Sequence, residues 1–353
     1  MILAEGALEQ GGDVLSGILV CAAPDCRHEY PIIDGIPVIL PNLRQHLGDR
    51  AIELLLRDDL DPRALSLLGD AMGPDSWLDV LRQGASTYAW DAYADLDPDE
   101  ACDAGPQGGV APGAARRCLQ ALLALAQPFN PDVARVLDLG CAAGRTTFDC
   151  AAAAPSGLAL GVDGNLGLLR IARRAASQGE VAYGRRRIGL VYDARRFPVA
   201  LPGAGRVDFW ACDAAALPFA PGCAGLILAL NLLDCVPDPV ALLHTLAAAL
   251  QPGGALLLAT PFDWAARATA APQWIGGHSQ RGPGGGAAEP LLLSLLTEGA
   301  HPRSVPGLDI AGTGEAPWHT RLHGRARVSY TSHIVAVRRR MLAASAGQVG
   351  MRV

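Results

Sequence analysis

The stretch Val136-Leu-Asp-Leu-Gly-Cys-Ala-Ala-Gly-Arg-Thr-Thr-Phe148 decides the fold of this chain. A short apolar strand ends in an acid, a turn with two glycines follows, and a helix begins directly after the turn. In an open α/β sheet, ligands bind beyond the carboxyl ends of the strands, near the point where the strand order reverses. Small residues in such a turn let a ligand approach the backbone closely. A single glycine-rich turn is a weak signal, so its weight depends on the neighbouring segments.

The neighbouring segments alternate between strands and helices. We predict strands at 134–139, 158–163, 207–212, 225–230 and 254–260, with a late strand at 327–337. Helices are predicted at 114–127, 145–154, 166–177, 239–250 and 290–299. Short apolar strands separated by helices indicate a parallel sheet with helices on both faces. The predicted fold class is therefore α/β, with a doubly wound sheet.

Three further features fall in register with the glycine-rich turn. Asp163 ends the second predicted strand, where an acid can accept hydrogen bonds from both hydroxyls of a ribose. Asp213 ends the third strand, in the segment Cys-Asp-Ala-Ala-Ala-Leu-Pro-Phe. A Pro-Gly-Gly turn at 252–254 precedes the fifth strand. A dehydrogenase is the structural competitor, but the turn from Gly140 to Gly144 lacks the G-x-G-x-x-G pattern of that class.

Together these segments resemble the class I S-adenosylmethionine-dependent methyltransferases, over roughly residues 114–264. The resemblance implies a seven-stranded Rossmann-like sheet in which the late strand inserts antiparallel beside the fifth. It also implies S-adenosylmethionine as the cofactor. One departure is Ala142, where the family usually has a glycine.

The resemblance assigns roles to individual residues. Gly140 and Cys141 would face the methionine portion of the cofactor, Asp163 the ribose, and Asp213 with Ala214 the adenine. Asn231, after the fourth strand, would border the sulfonium and the acceptor. Each Asp also suits a helix N-cap or a turn, which is the plainer interpretation. The cofactor-binding residues predicted on this basis are Asp138, Gly140, Cys141, Gly144, Asp163, Asp213, Ala214 and Asn231.

The N-terminal part divides into two predicted segments before the cofactor domain at 114–353, which contains an insertion at 179–206. Residues 1–41 form a predicted β-hairpin that resembles half of the small zinc ribbons of some methyltransferases and their activators. It has Cys21 and Cys26 with His28 nearby, but the first cysteine pair of such a ribbon is missing, and a closed zinc site needs four ligands. We therefore expect a metal-free hairpin. Residues 42–113 are predicted to be a helical cap and a linker.

The cap carries Tyr88, Trp90 and Tyr93 at helical spacing. An aromatic face stabilises a sulfonium cation by ~0.5–2 kcal/mol, so Tyr88 or Tyr93 is a candidate lid contact. Packing in a helical core is the alternative interpretation. We predict that the first hundred residues form a lid over the cofactor rather than an independent domain. The catalytic candidates are Asn231, Tyr88, Tyr93 and His319, of which His319 lies beside the late strand.

The insertion is rich in arginine, with Arg185 to Arg187 and the pair Arg195-Arg196. Clustered guanidinium groups suit a carboxylate or phosphate on the acceptor, since they form bidentate hydrogen bonds. A solvated, salt-bridged surface hairpin is the alternative.

Composition narrows the function further. All 29 basic residues are arginine, and the absence of lysine excludes Schiff-base chemistry and a P-loop. A formal charge of −6 argues against binding to nucleic acid. Nine scattered cysteines suit reduced thiols in a cytosol. No signal peptide and no apolar run of ~20 residues is evident, so a cytoplasmic protein without membrane contact is expected. The oligomeric state stays open.

The predicted function is methyl transfer from S-adenosylmethionine to a small-molecule acceptor, for which an anionic compound or a natural product would be compatible. The segment Asn231-Leu-Leu-Asp-Cys235 lacks both the Pro-Pro-aromatic signature of nucleic-acid amino methyltransferases and the His common in small-molecule enzymes. One alternative is cyclisation of S-adenosylmethionine to azetidine-2-carboxylate with release of methylthioadenosine. A second is a non-catalytic, cofactor-binding interaction subunit, since a fold does not specify its chemistry.

Overall fold

The computed structural model describes residues 1–26, 28–41, 73–100 and 111–341. The strands are β1 Ile2–Leu3, β2 Leu8–Gln10, β3 Asp13–Val20, β4 Glu29–Ile33, β5 Ile36–Ile39, β6 Arg135–Leu139, β7 Leu158–Asp163, β8 Glu180–Ile188, β9 Val191–Pro198, β10 Val207–Cys212, β11 Ala224–Leu230, β12 Leu250–Thr260, β13 Leu308–His323 and β14 Ala326–Arg339. The helices are α1 Trp77–Tyr93, α2 Ala114–Ala126, α3 Arg145–Ala153, α4 Leu166–Gln178, α5 Pro239–Ala249 and α6 Ala288–Leu296.

Eight strands form the central sheet, in the order β5-β10-β7-β6-β11-β12-β14-β13, and β1 to β4 extend the sheet beyond β5. The six strands from β5 to β12 in this order run parallel. Strand β14 is antiparallel to β12, and β13 is antiparallel to β14. The chain order reverses between β6 and β11, so the carboxyl ends of these two strands mark the place where a ligand binds in this architecture.

The predicted doubly wound, Rossmann-like sheet is confirmed. The late strand predicted at 327–337 is β14, and it inserts antiparallel beside β12 as the resemblance implies. Its partner β13 was not predicted, because its 16 residues include Gly312, Gly314 and Pro317, which weaken the pattern of a strand.

The core lies on both faces of the sheet. All seven residues of β11 are buried, as expected for a central parallel strand with helices above and below it. One face packs against α1 to α4, and the other against α5 and α6. Among the described residues, no helix combines the length and the apolar character needed to cross a membrane.

The N-terminal segment joins the main sheet. The predicted hairpin is present as β4 and β5, with a tight turn in which Asp34 and Gly35 both have positive φ. Strand β5 then pairs in parallel with β10, where Val38 lies opposite Ala211 and Ile39 opposite Cys212. Residues 1–41 thus extend the sheet of the cofactor domain.

Helix α1 is held between two hairpins of the same domain. The insertion at 179–206 forms the hairpin β8–β9, and β13–β14 forms a second, longer hairpin. The Ser86 hydroxyl accepts from the Arg186 amide at 2.8 Å, and the Thr87 hydroxyl donates to the Arg321 carbonyl at 3.0 Å. The Arg321 guanidinium donates to the Arg186 carbonyl at 3.2 Å, which joins the hairpins to each other.

Some predictions concern segments that the structure does not describe. The helical spacing at 51–68 and most of the linker at 101–113 lie outside the described residues. The domain boundaries therefore stay predictions. Helix α6 begins at Ala288, two residues before the predicted start at 290.

Gly144, which precedes α3, provides a test of this packing. Its φ is +85°, and an added Cβ would lie 2.6 Å from Phe209 Cε1 and 2.7 Å from Ala172 Cβ. We expect Gly144→Ala to lower the free energy of unfolding by about 3 kcal/mol, through overpacking and backbone strain. Urea denaturation measures the loss.

Gly84 in α1 is the matched control, because an added Cβ there meets nothing within 4 Å. Gly84→Ala should raise stability by ~0.5–1 kcal/mol, since alanine is the better helix former. Equal effects of the two substitutions would contradict the packing described at Gly144.

Candidate active site

The loop from Gly140 to Gly144 connects β6 to α3 at the carboxyl edge of the sheet. The amides of Gly140 and Cys141 both donate to the Val162 carbonyl, at 2.8 and 3.1 Å. Ala142, the predicted departure from the family pattern, adopts a φ of +49°. This left-handed conformation costs an alanine about 1–2 kcal/mol, so the surrounding contacts must hold the loop in place.

Asp163 at the end of β7 provides the main contact. Its Oδ2 accepts from the Ala142 amide at 3.0 Å, and its Oδ1 accepts from the Asn165 amide at 2.7 Å. A carboxylate has about four acceptor positions, and these two amides hold both of its oxygens at the edge of the sheet. The side chain is partly exposed at the edge of the sheet, as a ribose ligand requires.

Asp138 is placed differently from its prediction as a cofactor contact. It is 2% exposed, and its Oδ2 accepts from the hydroxyls of Thr146 and Thr147, both at 2.7 Å. Burial raises the pKa of Asp138 to about 6. The carboxyl therefore fixes the first turn of α3 beneath the loop, and both hydroxyl donors occupy its Oδ2.

Two residues of the loop also face the interior. The Cys141 side chain is 5% exposed and packs in the cluster that contains Phe209, and Gly144 lies against Phe209 and Ala172. Burial raises the pKa of the Cys141 thiol well above its usual range. A ligand contact of these two residues is thus limited to their backbone.

Asp213 and Ala214 follow β10 at the same edge. Asp213 is exposed, and its Oδ1 accepts from the Ala215 amide at 2.8 Å, so the acid also forms the turn that the plainer interpretation expects. Ile39 of β5 lies opposite Cys212, immediately before this turn. The edges of β7 and β10 therefore bring Asp163 and Asp213 onto one rim, as predicted.

Asn231 follows β11 across the switch point. Its amide donates to the Ala259 carbonyl at 2.8 Å, and its Oδ1 accepts from the Ser332 hydroxyl of β14 at 2.9 Å. Asn231 has a φ of +52° and Phe262, after β12, a φ of +54°. Positive φ therefore occurs after three neighbouring strands at the same edge of the sheet, at Ala142, Asn231 and Phe262. Backbone strain of this kind is concentrated at functional sites.

The two candidate lid tyrosines have different places. Tyr93 is fully buried, and its hydroxyl donates to the Ala143 carbonyl at 2.7 Å. The prediction that Tyr93 contacts the sulfonium is therefore wrong, because its ring has no free surface; it supports the loop from behind. Tyr88 is 48% exposed. Desolvation by the surrounding protein raises the pKa of its phenol to about 12, and the nearby charges of Cys235 and Asp163 act in the same direction. Tyr88 thus lies beside the carboxyl edge of the sheet, in a region that we call the cleft and that is bounded by Asp163, Cys235 and Tyr330.

His319 is not brought to this cleft. It lies on β13 opposite Ser329, whose hydroxyl is 3.1 Å from its Nδ1. His333 pairs with Thr260 at the end of β12, and Ser329 is four residues earlier on β14. Because successive residues of a strand point to opposite faces, His319 and Ser329 lie on the face of the hairpin opposite to that of Tyr330, which reaches Asp263. Its catalytic role has no support from this placement.

The arginines of the insertion are engaged by acids of the same chain. Arg185 pairs with Glu100 at 2.7 Å and with Asp193 at 3.3 Å, while Arg195 binds Asp97. The insertion is therefore a salt-bridged hairpin, as the second interpretation has it, and these two guanidinium groups do not form an open site for an anion.

The zinc-ribbon resemblance is not confirmed. The Cys26 thiol lies 3.1 Å from His28 Nδ1, and the part of the chain that the structure describes holds no group of three or more metal-ligating side chains.

Two acids and a phenol at this edge, Asp234 after β11, Asp263 after β12 and Tyr330 of β14, were not among the predicted site residues. Asp234 is 2% exposed and stands in the turn Leu233–Cys235, and its Oδ2 accepts from the Asp263 amide at 2.9 Å. Tyr330 of β14 hydrogen-bonds to Asp263, and both Asp234 and Cys235 act on it electrostatically. The position of Asp234 four residues after a buried strand was the signal available in the sequence.

Comparison with known proteins agrees with this geometry. Residues 112–285 match the family described as a methyltransferase domain. One similar solved structure comes from a study on conversion of a disulfide bond into a thioacetal group during echinomycin biosynthesis. That protein is 15% identical, over 63% of this chain and 83% of that chain, with a TM-score of 0.40. A S-adenosylmethionine-dependent methyltransferase from Methanosarcina mazei is 19% identical, over 59% and 93%, with a TM-score of 0.38. The [4+2]-cyclase SpnF is 16% identical, over 67% and 86%, with a TM-score of 0.40.

These three structures are distant likenesses, and a search of curated sequences finds no match. The family match confirms the predicted methyltransferase domain over residues 112–285, with S-adenosylmethionine as its cofactor. The roles of individual residues stay predictions.

The placement of Tyr88 leads to a test of the lid. We expect Tyr88→Ala to weaken binding of S-adenosylmethionine more than that of neutral S-adenosylhomocysteine, by about 1 kcal/mol, because a cation–π contact acts only on the charged ligand. Calorimetric titration of both ligands measures the difference. Equal weakening would show that the ring only packs. In Tyr93→Phe, which loses the hydroxyl bond to the loop, the two ligands should weaken equally.

Proposed function

We propose that the methyltransferase domain at 112–285 transfers the methyl group of S-adenosylmethionine to a small-molecule acceptor held beneath α1. The observation that carries the proposal is the rim at the carboxyl edge, where Asp163 fixes the loop after β6 and Asp213 follows the neighbouring strand. Tyr88 faces the same cleft from α1.

The residues at the rim fit the cofactor. The carboxylate of Asp163 is partly exposed at the end of β7, where an acid can accept hydrogen bonds from ribose hydroxyls, and the exposed turn at Asp213 offers a surface for adenine. The cleft beside this rim carries the phenols of Tyr88 and Tyr330 and the carboxyl of Asp234, which suit a ligand with a positive sulfonium. When bound, the cofactor supplies an electrophilic methyl group.

The chain contributes mainly alignment and exclusion of water. Displacement at a methyl carbon needs the donor and the acceptor in line, so a rigid cleft lowers the barrier by fixing both partners. Helix α1 forms one wall, and its bonds to both hairpins hold that wall in place. Asn231, whose side chain is fixed by Ser332, borders the acceptor side.

Binding of the cofactor is the first test. We expect wild-type protein to bind S-adenosylmethionine in a calorimetric titration and Asp163→Ala to bind it at least tenfold more weakly, since the variant loses both the loop contact and the ribose acceptor. Asp309→Ala is the control, because this exposed acid pairs with Arg340 at the far end of β13. Absence of binding by the wild type would overturn the proposal.

The product distinguishes methyl transfer from the alternatives. Protein incubated with S-adenosylmethionine alone should release no methylthioadenosine, and S-adenosylhomocysteine should form only when an acceptor is added. Methylthioadenosine formed without an acceptor would contradict methyl transfer and favour cyclisation of the cofactor.

A further inference from the structure

We propose that the acceptor is an amine and that Asp234 takes up its proton, an inference that rests on the proposed methyl transfer. Asp234 stands in the turn Leu233–Cys235, three residues after Asn231 and at the strand end where the sheet order reverses. The same turn borders the acceptor side of the cleft.

The Asp234 carboxyl is fixed but incompletely bonded. Its Oδ2 accepts from the Asp263 amide at 2.9 Å, while its Oδ1 is buried and has no hydrogen-bond partner among the described residues. The Thr269 hydroxyl donates to the backbone carbonyls of Asp234 and Val236, at 3.2 and 2.7 Å, and so holds the turn. A buried carboxyl oxygen without a donor costs free energy that an incoming N–H group would recover.

The surroundings of Asp234 favour a cation. Burial raises its pKa to about 6, and the neighbouring charge of Asp263 acts in the same direction. Acidic, phenolic or thiol side chains reach this region from five places in the chain, and Arg267 lies near Cys235 as a basic residue. The groups that face the cleft are Tyr88 of α1, Asp163 of β7, Cys235 of the turn, Asp263 after β12 and Tyr330 of β14.

The arginines of the insertion do not counter this charge. Arg185 and Arg195, the most buried of them, are paired with Glu100, Asp193 and Asp97. Around Cys235, three carboxylates, those of Asp163, Asp234 and Asp263, face one guanidinium, that of Arg267, so an ammonium group meets more opposite charge there than an anionic acceptor would. The electrostatics of the described residues thus favour an amine over an acid.

The chemistry balances with the groups present. The acceptor enters as an ammonium ion, and one N–H bond breaks as its proton passes to Oδ1 of Asp234. The freed lone pair forms the new N–C bond at the methyl carbon while the C–S bond breaks, and that electron pair remains on sulfur as a neutral thioether. A carboxyl with a pKa near 6 is a suitable base for an amine in a dry site, and too weak a base for an alcohol.

Sinefungin provides a probe that does not depend on the identity of the acceptor. In this analogue of S-adenosylmethionine, a carbon that bears an amine replaces the methylated sulfur, so the amine occupies the point of methyl transfer. We expect the wild-type protein to bind sinefungin at least tenfold more tightly than S-adenosylhomocysteine, because a charge-assisted hydrogen bond to Asp234 forms only with the amine. The preference should grow as the pH rises from 5 to 7, since Asp234 loses its proton in that range.

Asp234→Asn should reduce the preference for sinefungin to threefold or less and leave the affinity for S-adenosylhomocysteine unchanged. Asp238→Asn is the matched control: it makes the same change of charge four residues further on, at an acid that caps α5 and pairs with Arg303, and it should behave as the wild type. A preference that survives in Asp234→Asn, or is missing or independent of pH in the wild type, would overturn the assignment. Failure to bind S-adenosylhomocysteine at all would instead refute the proposed function.

Discussion

The hydrogen bond from the Ala142 amide to the Asp163 carboxylate is the contact on which the site depends. It spans 3.0 Å and joins the loop after β6 to the end of β7, so that two neighbouring strands share one carboxylate. A bond of this kind contributes about 1.5–3 kcal/mol, enough to offset the left-handed conformation of Ala142. The loop is therefore held by contacts within the chain, and the acid that holds it is also the one that we expect to bind the ribose.

The other side of the loop depends on α1. The Tyr93 hydroxyl donates to the Ala143 carbonyl, so that two adjacent residues of the loop, Ala142 and Ala143, are held from β7 and from α1. Residues five apart on a helix point about 140° away from each other, which is why Tyr88 can face the cleft while Tyr93 is buried. One helix thus supports the cofactor loop with one side chain and forms a wall of the cleft with another.

Much of the sheet could be predicted because its strands are buried on both faces. A continuous apolar run such as Gly225–Leu230 gives a clear signal, whereas β13 is half exposed and contains glycine and proline. The pairing of β5 with β10 could not be predicted, since it joins segments about 170 residues apart and no local pattern encodes it.

In the candidate site, the sequence predicts the location of a residue only where that residue ends a strand. Asp163 and Asp213 end their strands and lie on the rim. The direction of a side chain is not contained in such spacing, and for that reason Asp138 and Tyr93 were assigned to the cofactor although both are buried. Asp234 was overlooked for the converse reason, because its importance lies in burial and in a missing hydrogen-bond donor, which only the folded chain reveals.

A crystal structure with S-adenosylhomocysteine bound would show which residues hold the cofactor. We expect the ribose hydroxyls to lie within hydrogen-bond distance of the Asp163 carboxylate and the adenine to lie beside Asp213. Binding elsewhere would contradict this expectation, for example in the apolar groove at the opposite edge of the sheet, which is lined by Leu137, Leu160 and Trp210.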